Sequence, residues 1–192
     1  MKVFITDLSK QINCEERFLA HFDLLSEGDK ERYFNIANDH RRLQFLVGRM
    51  LIAENLKTPV SITKNGKLSA QNMFLSLTHS KNLVMLALDT NPVGIDAEDI
   101  THTRDFSKIA NRLGFKSQKN AFSFYLEWTK YEADFKLGKT YQNPFHTFFT
   151  HQNFMVCLSS SKEIESQILC YESIPFQSSK KLPLEIISER DL

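Results

Sequence analysis

The amino-acid sequence predicts an α/β fold, because segments with the period of a strand and segments with the period of a helix alternate along the chain. The helical segments are long and carry an apolar stripe, whereas the strand segments are short and end at Gly, Asn, Asp or Pro. The chain has 192 residues, of which 42% are hydrophobic and 24% charged, as in one substantial domain or two small packed ones. Because no sharp linker is visible, we expect residues 1–98 and residues 99–192 to form two α/β lobes with a site at their shared interface.

The first 56 residues are predicted to contain one strand and three helices. The strand covers Val3 to Thr6, and a helix follows Asn13, which has capping-box spacing to Glu16. Its apolar residues recur on one face as Phe18, Leu19, Phe22 and Leu25. A second, short helix is expected from Asp29 to Ile36, and a third after Asn38 to about Leu56.

Strands are predicted to follow, separated by turn residues. They are Val60–Thr63, Phe74–Leu77, Leu83–Leu88 and Gly94–Glu98, with turns at Asn65-Gly66 and at Asp89-Thr90-Asn91-Pro92. Beyond them we expect a short helix from Phe106 to Arg112 and a long helix from Asn120 to Lys139. The last predicted strands are Phe145–Phe149, Phe154–Leu158 and Ile168–Tyr171.

Asp96 and Glu98 are the most informative pair of side chains. They lie two residues apart in a predicted strand, so both carboxylates point to one face while Ile95 and Ala97 point to the other. An acid pair in a strand is usually a solvated face, but a hard divalent cation also binds such a pair. Glu132 and Lys136, four residues apart on the predicted long helix, add one more acid and a cation.

Groups suited to phosphate lie upstream of the acid pair. The segment from Ser76 to Ser80, which includes His79, is predicted to be a turn with hydroxyl, imidazole and backbone donors. On the third helix, Arg42 and Arg49 are seven residues apart and share a face, with Arg41 one step round. Acids for a metal, donors for phosphates and a spare base make phosphoryl or phosphodiester chemistry the leading hypothesis.

Charge and cysteine content exclude several classes of protein. A formal net charge of +1 gives no strong overall field for nucleic acid or an anionic membrane, so any anion site has to be local. The three cysteines, Cys14, Cys157 and Cys170, include no Cys-x-x-Cys pair, which argues against a disulfide framework or a zinc ribbon. No signal peptide and no run of 18 apolar residues is visible, so we expect a cytoplasmic protein without a membrane or nucleic-acid partner.

Four segments in this order resemble the 4'-phosphopantetheinyl transferase superfamily, specifically its longer Sfp-type members. The first segment runs from Arg41 to Arg49 and is similar to the N-terminal helix of that family. The others are Thr78-His79-Ser80, Val93-Gly94-Ile95-Asp96-Ala97-Glu98 and Trp128-Thr129-Lys130-Tyr131-Glu132-Ala133-Asp134-Phe135-Lys136. Each motif is weak alone, but all four in order are specific, and the resemblance spans about residues 26–140.

The resemblance implies transfer of the phosphopantetheine arm of coenzyme A onto a serine of an acidic apo acyl or peptidyl carrier protein, which leaves 3',5'-ADP. It further implies that Asp96, Glu98 and Glu132 ligate Mg²⁺, which bridges the coenzyme A pyrophosphate. Glu132 is also the best candidate base for the serine, and the sequence does not separate ligand from base. Lys136 would reach the pyrophosphate. The family fold implies a monomer of two lobes with approximate twofold pseudosymmetry, each a small, mostly antiparallel sheet with a long helix.

The coenzyme A phosphates would be held by His79 and Ser80, with Arg41, Arg42 and Arg49 as further candidates. The chain departs from the family pattern at two positions. Tyr131 stands where a lysine often precedes the glutamate, and Gln44 stands where many members carry an arginine near the 3'-phosphate. One of the three arginines would have to substitute for the arginine that is missing at position 44. All three therefore stay candidates for the 3'-phosphate contact.

Two other function classes stay open from the sequence. A metal-dependent hydrolase of nucleotide or coenzyme A derivatives would use water in place of the serine. A non-enzymatic coenzyme A binding protein would keep the fold without the chemistry, and the intact Asp96, Glu98 and Glu132 argue against it. Dependence of product formation on the serine of the carrier separates these classes from the transferase.

Overall fold

The computed structural model describes residues 1–10, 14–56, 58, 60–62, 68–101, 105–115, 120–138, 140–163 and 168–187. Within these ranges the chain forms five α-helices and ten strands, which confirms the predicted mixed α/β class. The helices are α1 (Cys14–Leu19), α2 (Glu27–Asn35), α3 (Asp39–Asn55), α4 (Phe106–Leu113) and α5 (Ala121–Leu137). The strands are β1 (Lys2–Asp7), β2 (Val60–Ile62), β3 (Leu68–Ala70), β4 (Met73–Ser80), β5 (Leu83–Asp89), β6 (Val93–Asp99), β7 (Phe145–His151), β8 (Phe154–Ser160), β9 (Leu169–Ile174) and β10 (Ser178–Leu182).

The strands form two sheets of unequal size. The larger sheet has the order β10-β9-β1-β5-β4-β3-β2, and all its neighbours are antiparallel except β1 and β9. The smaller sheet has the order β6-β8-β7 and is antiparallel throughout. The sheets therefore do not divide at residue 98. Strand β6 belongs to the smaller sheet with β7 and β8, and strands β9 and β10 belong to the larger sheet with the strands of the first half. The division into two similar lobes stays a prediction.

The two sheets and two long helices are stacked in four layers. Alternate residues of β1 show this, because Phe4 contributes to the core beneath α3 while Val3 and Ile5 contribute to the core between the sheets. In β8, Val156 faces the large sheet, whereas Met155 lies in the core beneath α5. The order of layers is thus α3, large sheet, small sheet, α5.

The long helices begin where the sequence predicts, at side chains that cap them. The Asn38 side chain accepts a hydrogen bond of 2.9 Å from the backbone of Arg41 at the start of α3. Asn120 and Ser123 form a reciprocal capping box at the start of α5. None of the described helices is long and apolar enough to cross a membrane.

Two local predictions are wrong, and two strands were missed. Residues 78–80 were predicted to form a turn but belong to β4, and the turn lies at Lys81 and Asn82. The apolar helix face predicted from Phe18 to Leu25 is interrupted, because α1 ends at Leu19 and a separate 3-10 turn covers Phe22–Leu24. Strands β3 and β10 were not predicted, since one is three residues long and the other is polar, Ser-Ser-Lys-Lys-Leu. The predicted cap at Asn13 and the turn at Asn65-Gly66 lie outside the described residues.

Candidate active site

Helix α5 lies directly against the backbone of β6, and Gly94 allows this approach. A Cβ atom at Gly94 would overlap the carbonyl oxygen of Ala133 and would lie 2.7 Å from the amide nitrogen of Leu137. Every other residue type carries that Cβ atom, so only glycine fits here without moving the helix. Ala133 is fully buried at this contact and is itself small. The contact fixes which face of α5 is turned toward β6.

Three polar side chains form a row along α5 beside this contact. Trp128, Glu132 and Lys136 are spaced by four residues, so each lies about 40° round the helix from the last. Both ends of the row contact the predicted acid pair. Lys136 Nζ donates to Asp96 Oδ1 at 2.7 Å, and Trp128 Nε1 donates to Glu98 Oε1 at 3.1 Å. Glu132 occupies the middle of the row and is half-buried.

Hydroxyl groups of β4 join the edge of the small sheet to the large one. Ser76 and Thr78 lie on one face of β4, where their oxygens accept hydrogen bonds from the backbone of β6. The amide of Ile95 donates to Ser76 Oγ at 3.1 Å, and the amide of Ala97 donates to Thr78 Oγ1 at 3.3 Å. All of these bonds are buried. They satisfy edge amides of β6 that would otherwise be buried without a partner.

The same row of hydroxyls holds the two carboxylates. Thr78 Oγ1 donates to Asp96 Oδ1 at 3.0 Å, and Ser80 Oγ donates to Glu98 Oε2 at 3.1 Å. Asp96 and Glu98 therefore point to one face of β6, toward β4 and the α5 row, while Ile95 and Ala97 point into the core between the sheets. The predicted geometry of the acid pair is confirmed.

Asp96 is a buried carboxyl group with a raised pKa. It is 6% exposed, and burial raises its pKa to about 6, against the opposing effects of the Lys136 ammonium and the Thr78 hydroxyl. Both donors to this carboxylate contact Oδ1. Its second oxygen, Oδ2, is buried and has no hydrogen-bond partner among the described residues. A buried carboxylate with one oxygen unpaired is a group that a bound cation would stabilise.

The pair fits a hard divalent cation, although the predicted triad is not assembled. Carboxylate oxygens are the ligands that Mg²⁺ takes from proteins, and Asp96 Oδ2 offers a free one. Across the described part of the chain, however, no three His, Cys, Asp or Glu side chains lie close enough together to hold a metal ion. The structure thus brings together Asp96 and Glu98, and leaves Glu132 nearby on α5 as a third acid outside their hydrogen-bond network.

His79 lies on the other face of β4 from this site, because it alternates with Thr78 and Ser80. Arg41 Nη1 from α3 lies 2.7 Å from Nδ1 and 3.0 Å from Nε2 of the His79 ring. Partial desolvation and then the Arg41 guanidinium lower the pKa of His79 to about 4. The structure therefore groups His79 with Arg41, and Ser80 with the carboxylates.

Arg42 and Arg49 are directed away from His79. Arg49 is 9% exposed and forms an ion pair of 2.8 Å with Asp29 of α2. Arg42 forms an ion pair of 2.5 Å with Asp39 and lies over the Tyr33 ring of α2, 5.6 Å from its centroid. The two arginines do share a helix face, as predicted, but that face packs against α2.

Two contributors to the site were missed by reasoning from the sequence. Trp128 was named from the sequence only as the first residue of the α5 motif, yet its indole N–H contacts Glu98. Thr78 was assigned to a turn, yet its hydroxyl contacts Asp96. A signal for Thr78 exists, because Ser76, Thr78 and Ser80 recur with period two, as a strand face does.

Comparison with models of known protein families and with curated protein sequences finds no match for this chain. Function is therefore inferred from the residues of the site and from the motifs that carry the family resemblance. The geometry supplies two carboxylates, a lysine and a nearby third acid at one edge of the small sheet. That set can bind a hard cation and accept a proton.

Proposed function

We propose that this chain is a 4'-phosphopantetheinyl transferase, which transfers the phosphopantetheine arm of coenzyme A to a serine hydroxyl of an apo carrier protein and releases 3',5'-ADP. One observation carries the proposal. The α5 motif and the β6 motif, which are separated by about 30 residues in the sequence, contact each other through Lys136 and Asp96 and through Trp128 and Glu98. These are the two motifs on which the family resemblance depends.

Mg²⁺ is the proposed metal, and Asp96 and Glu98 are the residues that would hold it. When bound, Mg²⁺ would stabilise the negative charge that develops on the leaving 3',5'-ADP. Glu132 joins this set as a third ligand in the proposal, since both of its neighbours in the α5 row reach the acid pair.

Glu132 is also our candidate base for the carrier serine. A serine hydroxyl is a weak nucleophile until its proton is accepted, and Glu132 is a half-buried acid that is not hydrogen-bonded to the acid pair. The serine oxygen forms a bond to the β-phosphorus of coenzyme A, the bond from that phosphorus to the 3',5'-ADP oxygen breaks, and the serine proton passes to the base. Lys136, whose ammonium contacts Asp96, is the residue that we propose to offset the charge of the pyrophosphate.

Arg41 is the arginine that we propose for a coenzyme A phosphate. It is exposed, lies beside His79 and contacts Gln44 at 3.2 Å, the residue that stands where many family members carry an arginine. Arg42 and Arg49 are engaged with carboxylates of α2 and α3. His79 is neutral at pH 7, because its pKa is lowered, so it would act as a hydrogen-bonding group and not as a cation.

A groove between α4 and α5 is where we propose that the carrier binds. The groove has a cavity of about 370 Å³ and is lined by Lys108, Ile109, Arg112, Leu113, Trp128 and Tyr131. Two cations beside an apolar floor complement an acidic, amphipathic helix. Trp128 links the groove to the site, because its indole N–H contacts Glu98. A monomer in the cytoplasm, without a membrane or nucleic-acid partner, is part of the same proposal.

Intact-mass spectrometry tests the proposal. Apo acyl and peptidyl carrier proteins are incubated with this chain, coenzyme A and Mg²⁺, beside carriers whose acceptor serine is replaced by alanine. We expect a mass gain of one phosphopantetheine on the serine forms only. Consumption of coenzyme A with unmodified carrier would favour the hydrolase, and binding of coenzyme A without any product would favour the binding protein; either result would overturn the transferase.

A further inference from the structure

We infer that Trp128 is a positioning residue for Glu98, and that its indole N–H, more than its packing, is what the site requires. The inference deepens the proposed function, since it assigns a role toward the cation that Asp96 and Glu98 would hold. It stands on a contact that is independent of any activity, the hydrogen bond of 3.1 Å from Trp128 Nε1 to Glu98 Oε1.

Glu98 is held differently from Asp96. Each of its oxygens has its own donor, Trp128 for Oε1 and Ser80 for Oε2. Two donors at two oxygens fix both the position and the plane of a carboxylate, whereas donors at one oxygen leave it free to turn about that contact. Each carboxylate oxygen keeps a further lone pair, so a cation can bind Glu98 without breaking either bond. Glu98 is therefore presented in one orientation.

The indole is itself held by aromatic neighbours. Its ring stacks on Phe124 at 6.1 Å between centroids and 13° between planes. Phe115 meets it edge-on at 6.5 Å, and Tyr131 lies at 6.2 Å. These contacts hold the ring with its N–H directed at β6. Because packing already orders the side chain, the hydrogen bond costs little additional conformational entropy.

A purely structural tryptophan would not need this bond. Phenylalanine or leucine at position 128 would also fill apolar space between Phe115 and Phe124, but neither carries a donor. Tryptophan is a donor only, so its N–H cannot be exchanged for an acceptor in the way a hydroxyl can. The aromatic residues Phe115, Phe124 and Tyr131 thus hold the indole in place, and the indole in turn orients one carboxylate of the site.

The first test examines the hydrogen bond and requires neither metal nor activity. Trp128 is the only tryptophan of the chain, so the indole N–H gives one cross-peak in a ¹H–¹⁵N correlation spectrum. We expect Glu98→Ala to move this peak and to speed its exchange with solvent. Lys136→Met, which removes a donor from Asp96 and none from Glu98, serves as the matched control and should move the peak less. Equal effects of the two variants would overturn the inference.

The second test separates positioning from packing. Because the chain has one tryptophan, biosynthetic replacement of tryptophan by benzothienylalanine changes position 128 alone, keeps the bicyclic ring and removes the N–H. We expect the dissociation constant for Mg²⁺, measured by calorimetry on the full chain, to rise on the order of tenfold, with little change in the unfolding midpoint. An unchanged dissociation constant in a folded protein would overturn the inference.

The two tests also distinguish this inference from the proposed function. If no carrier is modified but Glu98→Ala alone shifts the indole peak and the benzothienyl protein alone binds Mg²⁺ weakly, the positioning role stands and the transferase falls. If carriers are modified equally well by the wild-type and benzothienyl proteins at limiting Mg²⁺, the transferase stands and the positioning role falls.

Discussion

Helices α3 and α5 are both 17 residues long and both pack on a sheet, yet they use their polar residues in opposite ways. On α5, Trp128 and Lys136 extend toward β6 and hold two carboxylates there. On α3, Arg42 and Arg49 extend toward α2 and neutralise carboxylates of the helices themselves. The difference lies in what each helix face meets, which periodicity alone does not specify. A polar row on a helix becomes a site only where the neighbouring element also presents functional groups.

The glycines of the two helix contacts sharpen this comparison. Gly94 has no room for a Cβ atom between β6 and α5, whereas a Cβ atom at Gly48 of α3 would lie 3.4 Å from the nearest side-chain atom of Leu77. At Gly94 the backbone of β6 therefore contacts the backbone of α5. At Gly48 the helix α3 contacts side-chain atoms of Leu77. We therefore expect the contact between α5 and β6 to tolerate substitution less well than the contact beneath α3.

The largest effect is expected on turnover. Asp96→Ala and Glu132→Gln should each reduce transfer by a factor on the order of 10³ or more, because they remove a proposed metal ligand and the proposed base while leaving the cores intact. Transfer to a carrier is measured by mass, and folding is checked by thermal unfolding. Full activity of either variant would remove that residue from the site and weaken the contrast between α5 and α3.

Gly94→Ala is expected to reduce the free energy of unfolding by about 3 kcal/mol or more, because the new methyl group meets main-chain atoms that cannot rotate away. Gly48→Ala is the matched control. It should leave the stability unchanged or raise it by up to about 1 kcal/mol, since alanine is the better helix former. Denaturant titration of both variants measures the difference, and equal losses would show that the two contacts are alike.

Asp96 should make the stability of the protein depend on pH. Its pKa is raised from 3.8 to about 6, so its contribution to folding is fully present below pH 3.8 and is lost as the pH rises through 6. A rise of about 2 pK units corresponds to about 3 kcal/mol. Lowering the pH from 7 to 4 should therefore raise the stability of the wild type relative to Asp96→Asn by up to about that amount.

The comparison with Asp96→Asn isolates this carboxyl group from His79. The pKa of His79 is lowered, so its contribution has the opposite sign and is lost as the pH falls from 6.5 toward 4. His79 is present in both proteins, and its effect cancels in the difference. A stability difference that does not change between pH 4 and pH 7 would contradict the raised pKa of Asp96.

The fold class and the acid pair were predictable from the sequence, because both depend on local patterns. Period two placed Asp96 and Glu98 on one face, and capping residues such as Asn38 and Asn120 marked where the long helices begin. The partners of these elements were not predictable. The pairing of β6 with β8 joins residues about 60 positions apart, and no local pattern encodes such a contact.

The role of Arg49 shows the same limit. Arg49 and Arg42 do share a helix face, as their spacing predicts. The partner of Arg49, however, is Asp29 of α2, a helix that packs on this face, and a helical wheel does not show which element packs there. The prediction of a turn at residues 78–80 was wrong because Thr, His and Ser are also typical of turns, and their composition was given more weight than their period of two.

Exchanging the arginines of α3 should separate stability from coenzyme A binding. Arg49→Met leaves Asp29 largely buried without its ion-pair partner and should cost about 2 kcal/mol of stability. Arg41→Met removes an exposed side chain and should leave stability unchanged, but should raise the coenzyme A concentration needed for half-maximal transfer about tenfold. Denaturant titration and the concentration dependence of transfer give the two readouts. If Arg49→Met instead raised the coenzyme A requirement and Arg41→Met did not, Arg49 would replace Arg41 as the proposed phosphate-binding residue.

The proposal depends most on the acid pair beneath α5 binding a hard cation, and luminescence of Tb³⁺ measures this directly. Tb³⁺ takes oxygen ligands as other hard cations do, and an indole close to the bound ion sensitises its emission. The single tryptophan contacts Glu98, so Tb³⁺ held by Asp96 and Glu98 should emit on excitation of Trp128 and should be displaced by Mg²⁺. Asp96→Asn should abolish the signal, whereas Asp29→Asn, which changes a carboxylate of the α3 contact, should retain it. Equal emission from the wild type and Asp96→Asn would contradict a cation site at this pair.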